Sequence, residues 1–315
     1  IKICNTALDI FKEIGSTQSI ASCYVNIGTL YQSCGDFDGA FKMFTKALGI
    51  FEEVGNIEGL ASCYGNIGIV HQCRGNLDKA FEMHVKALEI FEKQGNQVGL
   101  ASCYSNMASV YKDRRQFDKA LENYKHALAI NESIGTKEGI ANQYGNMGRV
   151  FQCLGNLDKS LEMYNKACEI FVELGDKVSM ANQYGNIGIV YQIQGELDGA
   201  YKMFTKALGI HEKLGNKKGM ASCYGNIGNF YKRHEMLKKS LQMYNKSLAI
   251  FEELDDKTGM ANNYKSMGIV YHIQGNLDKA IEIWEKGLKL YDEVGAVHPM
   301  IQLKNLIDSL KQNQK

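Results

Sequence analysis

Residues 61–96 read ASCYGNIGIVHQCRGNLDKAFEMHVKALEIFEKQGN, and their pattern decides the fold. Tyr64, Ile67, Gly68 and His71 follow the i, i+3, i+4, i+7 spacing that gathers them on one face of a helix. Leu77, Ala80, Phe81, His84, Ala87, Leu88 and Phe91 do the same over a second helix. Gly75-Asn76 separates the two, with glycine as the left-handed stop and asparagine as the next N-cap. Gly95-Asn96 repeats that punctuation at the far end. Asp78 falls in the first turn of the second helix, where the helix dipole favours an anion. Both connections are short, so consecutive helices run antiparallel.

The unit returns every 40 residues without insertion or deletion. Tyrosine stands at 24, 64, 104, 144, 184, 224 and 264, and glycine follows four positions later except at Ala108. An aromatic ring comes next at 31, 71, 111, 151, 191, 231 and 271, with His71 the non-benzenoid one. Small residues fill 40, 80, 120, 160, 200, 240 and 280, and again 47, 87, 127, 167, 207, 247 and 287. Seven units are expected, at 21–60, 61–100, 101–140, 141–180, 181–220, 221–260 and 261–300. Residues 1–20 read as the second helix of a truncated unit, and 301–315 as a capping helix. The expected fold class is all-α, an α-solenoid of antiparallel helix pairs.

The composition agrees. The 315 residues include 32 glycines and one proline, as a helical chain punctuated by glycine requires. Lys plus Arg number 36 and Asp plus Glu 35, and a net charge of +1 lacks the electrostatic footprint of a nucleic-acid binder. A hydrophobic content of 45% excludes a disordered tail. No run of 18 apolar residues exists, so no membrane partner is expected. With no signal peptide the chain reads as cytoplasmic.

The pattern resembles the tetratricopeptide repeat, a family that places an aromatic, Leu-Gly and a second aromatic on its first helix, then Ala, aromatic, Ala on its second. Tyr64, Ile67-Gly68, His71, Ala80, His84 and Ala87 hold those places, and the match spans essentially the whole chain. The usual unit is 34 residues; six more lengthen each hairpin here, and the family's closing proline gives way to Gly-Asn or Gly-Asp. The 40-residue form with Tyr-Gly-Asn-Ile-Gly looks most like the Leu-Gly-Asn repeats of the Pins-type spindle-orientation adaptors. The resemblance implies a right-handed superhelix with a ligand groove on its concave face. It also implies a protein or peptide partner, and neither cofactor nor catalysis.

The two ends read differently. Pro299 suits the first position of a last helix, whose Met300, Ile301, Leu303, Leu306, Ile307 and Leu310 are expected to face the preceding unit. Lys304, Asp308 and Lys311 replace Tyr, Gly and Tyr of earlier units and turn the outer face polar. Ile1 falls inside a second helix whose first is absent, leaving an apolar stacking face. Further repeats or another domain are expected upstream, and self-association through that uncapped face is a further possibility. The segments from Gly35 and from Gly195 nearly coincide over sixteen residues, which points to expansion by copying.

On the first helix, positions 62, 66, 69 and 73 point about 180° from the packing face, and the resemblance makes that side the groove. Asparagine holds its centre as Asn26, Asn66, Asn106, Asn146, Asn186 and Asn226, with Ser266 departing. Asn costs roughly 0.5 kcal/mol against Ala in a helix interior, so the row calls for a reason. A carboxamide both donates and accepts, so a row can pair with the backbone of an extended peptide; Pins-type adaptors and kinesin light chains use such rows this way. The competing reading has the amides bonding neighbouring helices. Gly65, Gly145, Gly185 and Gly225 precede four of the asparagines, either to let a ligand backbone approach or to let the next helix approach. Lys112, Arg149, Lys232, Arg233 and Lys265 stand out as groove cations and Asp113 as its main acid, so an acidic ligand is expected.

Other chemistry finds little support. The nine cysteines include Cys23, Cys63, Cys103 and Cys223 at one repeat position, too far apart to pair, and reduced thiols are expected. His71 and His84 read as ring substitutions in one hairpin, and a zinc site is not expected. The expected function is a protein-interaction scaffold that binds an extended peptide. The alternative is the regulatory or sensor arm of a larger enzyme, a protease or nucleoside-triphosphatase switch, whose catalytic part lies outside this chain.

Overall fold

The computed structural model describes residues 2–313. Among them are sixteen α-helices and no strand. The period of the backbone is half that of the sequence, because a left-handed residue recurs every twenty positions. Glycine supplies it at 15, 35, 55, 75, 95, 135, 155, 175, 195, 215, 275 and 295, all with positive φ. Arg115, Glu235 and Asp255 take the same conformation at φ 59°, 57° and 51° without glycine's freedom.

Each left-handed residue is followed by the N-cap of the next helix. Asp36, Asn56, Asn96, Asn156, Asp176, Asn216 and Asp256 accept a hydrogen bond from the backbone N–H three residues on, as at Asn56 Oδ1 and Gly59 N, 2.8 Å. Asn76 occupies the expected cap position of its helix but makes no side-chain cap bond.

The packing divides the chain into two units. The first contains α1 (Lys2–Ile14), α2 (Thr17–Ser33), α3 (Phe37–Glu53), α4 (Ile57–Cys73), α5 (Leu77–Gln94), α6 (Gln97–Asp113) and α7 (Phe117–Ser133). Here α2–α3, α4–α5 and α6–α7 form hairpins, and α3 and α5 carry the stacking onto α4 and α6. Arg74 stitches one hairpin to the one before it. Its Nη2 donates to Phe37 O at 3.0 Å and pairs with Asp38, and its guanidinium lies over the Phe41 ring. Arg114 repeats this with Leu77 O, Asp78 and Phe81.

The second unit contains α8 (Lys137–Cys153), α9 (Leu157–Glu173), α10 (Lys177–Gln194), α11 (Leu197–Lys213), α12 (Lys217–Arg233), α13 (Leu237–Glu253), α14 (Lys257–Ile273) and α15 (Leu277–Glu293). Most of α16 (Val297–Asn313) belongs to it too. Here α8, α10, α12 and α14 touch in turn, forming one side of the stack.

Within each hairpin the glycine of the first helix admits a ring from the second. A Cβ built at Gly68 would stand 2.5 Å from His84 Cε1, at Gly148 2.8 Å from Tyr164 Cδ1, and at Gly188 2.7 Å from Phe204 Cε1. Fully buried alanines at 21, 40, 47, 61, 80, 87, 181, 200 and 207 close the remaining space. His71 packs on Phe41 with ring centroids 5.4 Å apart, while His84 is wholly buried over Gly68. Both act as rings. No group of three or more His, Cys, Asp or Glu among the described residues could hold a metal ion, and no helix is long and apolar enough to cross a membrane.

The last helix departs from expectation in two respects. It begins at Val297, so Pro299 is its third residue, still within the turn whose N–H groups have no helical acceptor. Leu303, Ile307 and Leu310 are buried, but Ile301 and Leu306 are 48% and 39% exposed, because the buried stripe keeps only one residue per turn. Lys304, Asp308 and Lys311 face solvent as expected. Cys63, Cys103 and Cys223 are buried, which pushes each thiol up to about 12, and all nine cysteines are unpaired.

Candidate functional site

The stacking of α8, α10 and α12 brings one residue from each to a common opening. Asn146, Asn186 and Asn226 line a cavity of about 340 Å³ together with Arg149. Asn142, Asn182 and Ser222, one helical turn earlier, continue its polar wall, and Gly145 and Gly185 widen it.

The asparagine amides are half-buried, except for the exposed Asn26, and largely uncommitted. Among the described residues, Asn26, Asn66, Asn106, Asn146 and Asn226 form no hydrogen bond with a protein group. Asn186 Nδ2 makes one long contact with Gln183 Oε1, 3.4 Å, on its own helix. Other mid-helix asparagines behave differently. Asn123, Asn131 and Asn263 turn back to the carbonyl four residues earlier, at 2.9, 2.8 and 3.2 Å.

Three of the four extra glycines are not demanded by packing. A Cβ at Gly65 would meet nothing within 4 Å, at Gly185 only Asn226 Nδ2 at 3.8 Å, and at Gly225 only Ser247 Oγ at 3.9 Å. At Gly145 it would come within 3.3 Å of Gln183 Oε1, a side chain and not the next helix's backbone.

The cations divide. Arg149 is exposed and shares the cavity with the three asparagines. It also approaches Tyr164, whose burial raises the phenol to about 12 while the guanidinium opposes the rise. Lys112 pairs with the adjacent Asp113 at 3.3 Å, and Asp113 accepts from Gln72 Nε2 at 2.6 Å. Lys232 Nζ donates to Asn229 Oδ1 at 3.1 Å, and burial and the neighbouring Arg233 lower its pKa. Lys265 Nζ donates to Gln302 Oε1 at 3.3 Å. Lys232, Arg233 and Lys265 are not in the wall of the Asn146–Asn226 cavity. Asn26 lines a separate cavity of about 310 Å³ in the first unit with Ser22 and Ser62.

Two polar residues of the asparagine cavity escaped the sequence reading. Gln183, 9% exposed, takes the place held by Cys63, Cys103 and Cys223. His211 takes the place of Phe51, Phe91, Phe171 and Phe251 and is buried beneath Gly219. Its Nδ1 accepts from Asn216 Nδ2 at 3.2 Å, since Asn216 Oδ1 is engaged by Gly219 N, and burial lowers its pKa. Polar residues break the same two columns at Gln143 and Asn263 and at Asn131, and such breaks are the signal that could have found them.

Antiparallel helix pairs of near-equal length, stacked one on the next within each unit, define an α-solenoid. The repeat profile then settles the family. The tetratricopeptide repeat matches residues 19–93, 57–133, 99–173 and 179–253, and the chain belongs to that family. No curated protein matches it in sequence.

Solved structures share the fold at low identity. A Rap protein complexed with Competence and Sporulation Factor is 16% identical with a TM-score of 0.69, over 92% of this chain and 81% of that one. The Rap conjugation gene regulator of the plasmid pLS20, in complex with the Phr* peptide, is 17% identical with a TM-score of 0.67, over 88% and 75%. A signal transduction ATPase with a tetratricopeptide repeat sensor from Pyrococcus horikoshii is 18% identical with a TM-score of 0.60, over 99% and 46%. At these identities the likeness is one of fold.

Proposed function

We propose that the chain is a protein-interaction scaffold whose second unit holds an extended peptide segment across α8, α10 and α12. The observation that carries this reading is the uncommitted state of the asparagine amides. Asn146 and Asn226 are half-buried at the centres of helices, cost helix propensity, and bond to nothing in the protein. An amide so placed offers one donor and one acceptor, the complement of a peptide unit. Gly185 leaves room for a second backbone beside it. Arg149 in the same cavity favours a carboxylate on the bound segment. The pLS20 regulator, of similar fold, is solved with a peptide, which agrees with this use of the architecture.

The test is a peptide-display selection against the whole chain, run beside a variant carrying Asn146→Ala, Asn186→Ala and Asn226→Ala. Circular dichroism checks that both are equally helical. Loss of three amide pairings at about 1 kcal/mol each weakens enriched peptides by roughly 100-fold. Equal binding by both proteins would make the row a product of repeat copying and refute the reading.

A further inference from the structure

The hairpin of α12 and α13 departs from the repeat at a single turn. Residues 229–239 read NFYKRHEMLKK, where 69–79 read IVHQCRGNLDK and 269–279 read IVYHIQGNLDK. Glu235 stands in glycine's left-handed place. Met236 occupies the N-cap of α13 and makes no side-chain cap bond. Lys238 replaces the aspartate that α3, α5, α7, α9, α11 and α15 all carry in the first turn. Each change removes a device that stabilises the turn: the permissive glycine, the cap, and the anion at the positive end of the helix. When several local rules fail together, a functional demand is the usual cause.

What replaces those devices is charge and aromatic surface. Lys232, Arg233, Lys238 and Lys239 stand in this stretch against Glu235 alone. Among the described residues none of the four cations forms an ion pair, and Arg233, Lys238 and Lys239 are exposed. Phe230 fills a place held by valine in most other units. Its ring lies 5.7 Å from Tyr201, 5.7 Å from Tyr231 and 4.7 Å from His234. Tyr201 and Met236 leave 40% and 47% of their surface open beside the charges. None of these residues lines the asparagine cavity.

We propose that this turn, with Tyr201 beside it, is a second docking surface, for an acidic peptide segment of a protein partner that carries an aromatic or aliphatic anchor. Docked carboxylates meet cations that have no salt bridge to give up, and the uncapped start of α13 offers free backbone N–H groups to the same anions. The ring of Tyr201, backed by the buried Phe230, and the side chain of Met236 give the anchor an apolar seat. A nucleic acid fits less well, because four cations on one turn neutralise few phosphates and the chain carries a net charge of only +1.

The whole chain is titrated against a fluorescein-labelled peptide of sequence Asp-Glu-Asp-Trp-Glu-Asp-Leu-Glu-Asp, with anisotropy as the readout. Saturable binding at low salt is expected, weakened about tenfold by roughly 0.3 M sodium chloride. The decisive variant is Glu235→Gly with Lys238→Asp, which restores the repeat's own residues and so folds at least as well. It is expected to lose about tenfold in affinity, and Tyr201→Ser about fivefold. Asn146→Ala is expected to leave this binding unchanged, which separates it from the groove. The proposal is overturned by absence of saturable binding, by equal binding of the restored variant, or by equal binding of the Asn/Gln version of the peptide. Tighter binding of a single-stranded oligonucleotide overturns it as well.

Discussion

Replacing Gly185 and Gly225 together by alanine tests the groove and the helix energetics at once. Both residues sit in mid-helix, and nothing fills the space of their missing side chains. An added Cβ finds only Asn226 Nδ2 at 3.8 Å in one case and Ser247 Oγ at 3.9 Å in the other, ordinary contact distances. Alanine is better than glycine in a helix interior by about 0.8–1 kcal/mol, so the pair is expected to stabilise the protein by about 2 kcal/mol. In urea that raises the unfolding midpoint by about half a molar, with the slope unchanged. The methyl group at 185 narrows the wall beside Asn146, Asn186 and Asn226, so peptides selected on the parent are expected to bind the variant less tightly.

The comparison is with Gly148→Ala, where the new Cβ lies 2.8 Å from Tyr164 Cδ1. Overpacking there costs about 1–3 kcal/mol and outweighs the propensity gain. Equilibrium unfolding of the three proteins, followed by far-ultraviolet circular dichroism, ranks them. A lower midpoint for the Gly185/Gly225 double variant than for the parent would refute the reasoning, since it would mean that packing requires those glycines. A higher midpoint with undiminished peptide affinity would leave the energetics standing and remove the glycines from the ligand site.

Two further outcomes follow from buried titratable groups. Burial holds His84 at about 4, below the ordinary imidazole value, and neither ring nitrogen has a partner. Below about pH 6.5 the unfolded chain therefore binds the proton that the folded one refuses, and stability intact above that pH falls by roughly 3 kcal/mol as pH approaches 4. His84→Phe, the residue type that Phe44 and Phe204 place over the equivalent glycines Gly28 and Gly188, is expected to flatten that part of the pH profile in thermal melts; an unchanged acid limb would show that other groups set it. For the thiols, iodoacetamide at pH 8 with mass spectrometry is expected to label exposed Cys34 and Cys153 and spare Cys63, Cys103 and Cys223, whose burial raises them to about 12. Labelling of all nine at one rate would contradict the packing described.

The helix pairs and the groove face were legible because both depend on spacing within one helix. Tyr64, Ile67 and Gly68 face inward and Asn66 away from them through the 3.6-residue period alone. Residues on the flanks were not legible in the same way. Lys232 and Lys265 share the first-helix column pattern with groove residues, yet their long stems reach sideways to Asn229 and Gln302. Gln183 sat in a column of cysteines that reads as core, and it lines the cavity because Gly145 on the previous first helix leaves space for its amide. Ile301 and Leu306 were assigned to the core of α16 by the width of their apolar stripe, but a terminal helix packs on one side only and buries a narrower one.

Copying explains why recurrence alone is weak evidence of function, and why departures carry more. Residues 35–50 and 195–210 differ at three positions only: Asp36 against Glu196, Phe37 against Leu197, and Phe41 against Tyr201. Each difference tracks its surroundings. Asp36 caps α3 through Gly39 N at 2.8 Å, whereas Glu196, one carbon longer, makes no cap bond to α11. Phe37 is 8% exposed and Leu197 42%. Phe41 packs against His71 and lies under the Arg74 guanidinium, while Tyr201 meets Phe230 and Tyr231 and keeps 40% of its surface open. Thirteen identical residues out of sixteen build the same helix in both places; the three that changed in the second copy include Tyr201, which opens aromatic surface beside the turn where α12 and α13 lost their cap and gained their cations. Neutral drift in a copied unit has no reason to gather an exposed ring, an exposed methionine and cations without salt bridges at one turn. A second contact surface there accounts for both, and for the stability given up to keep them.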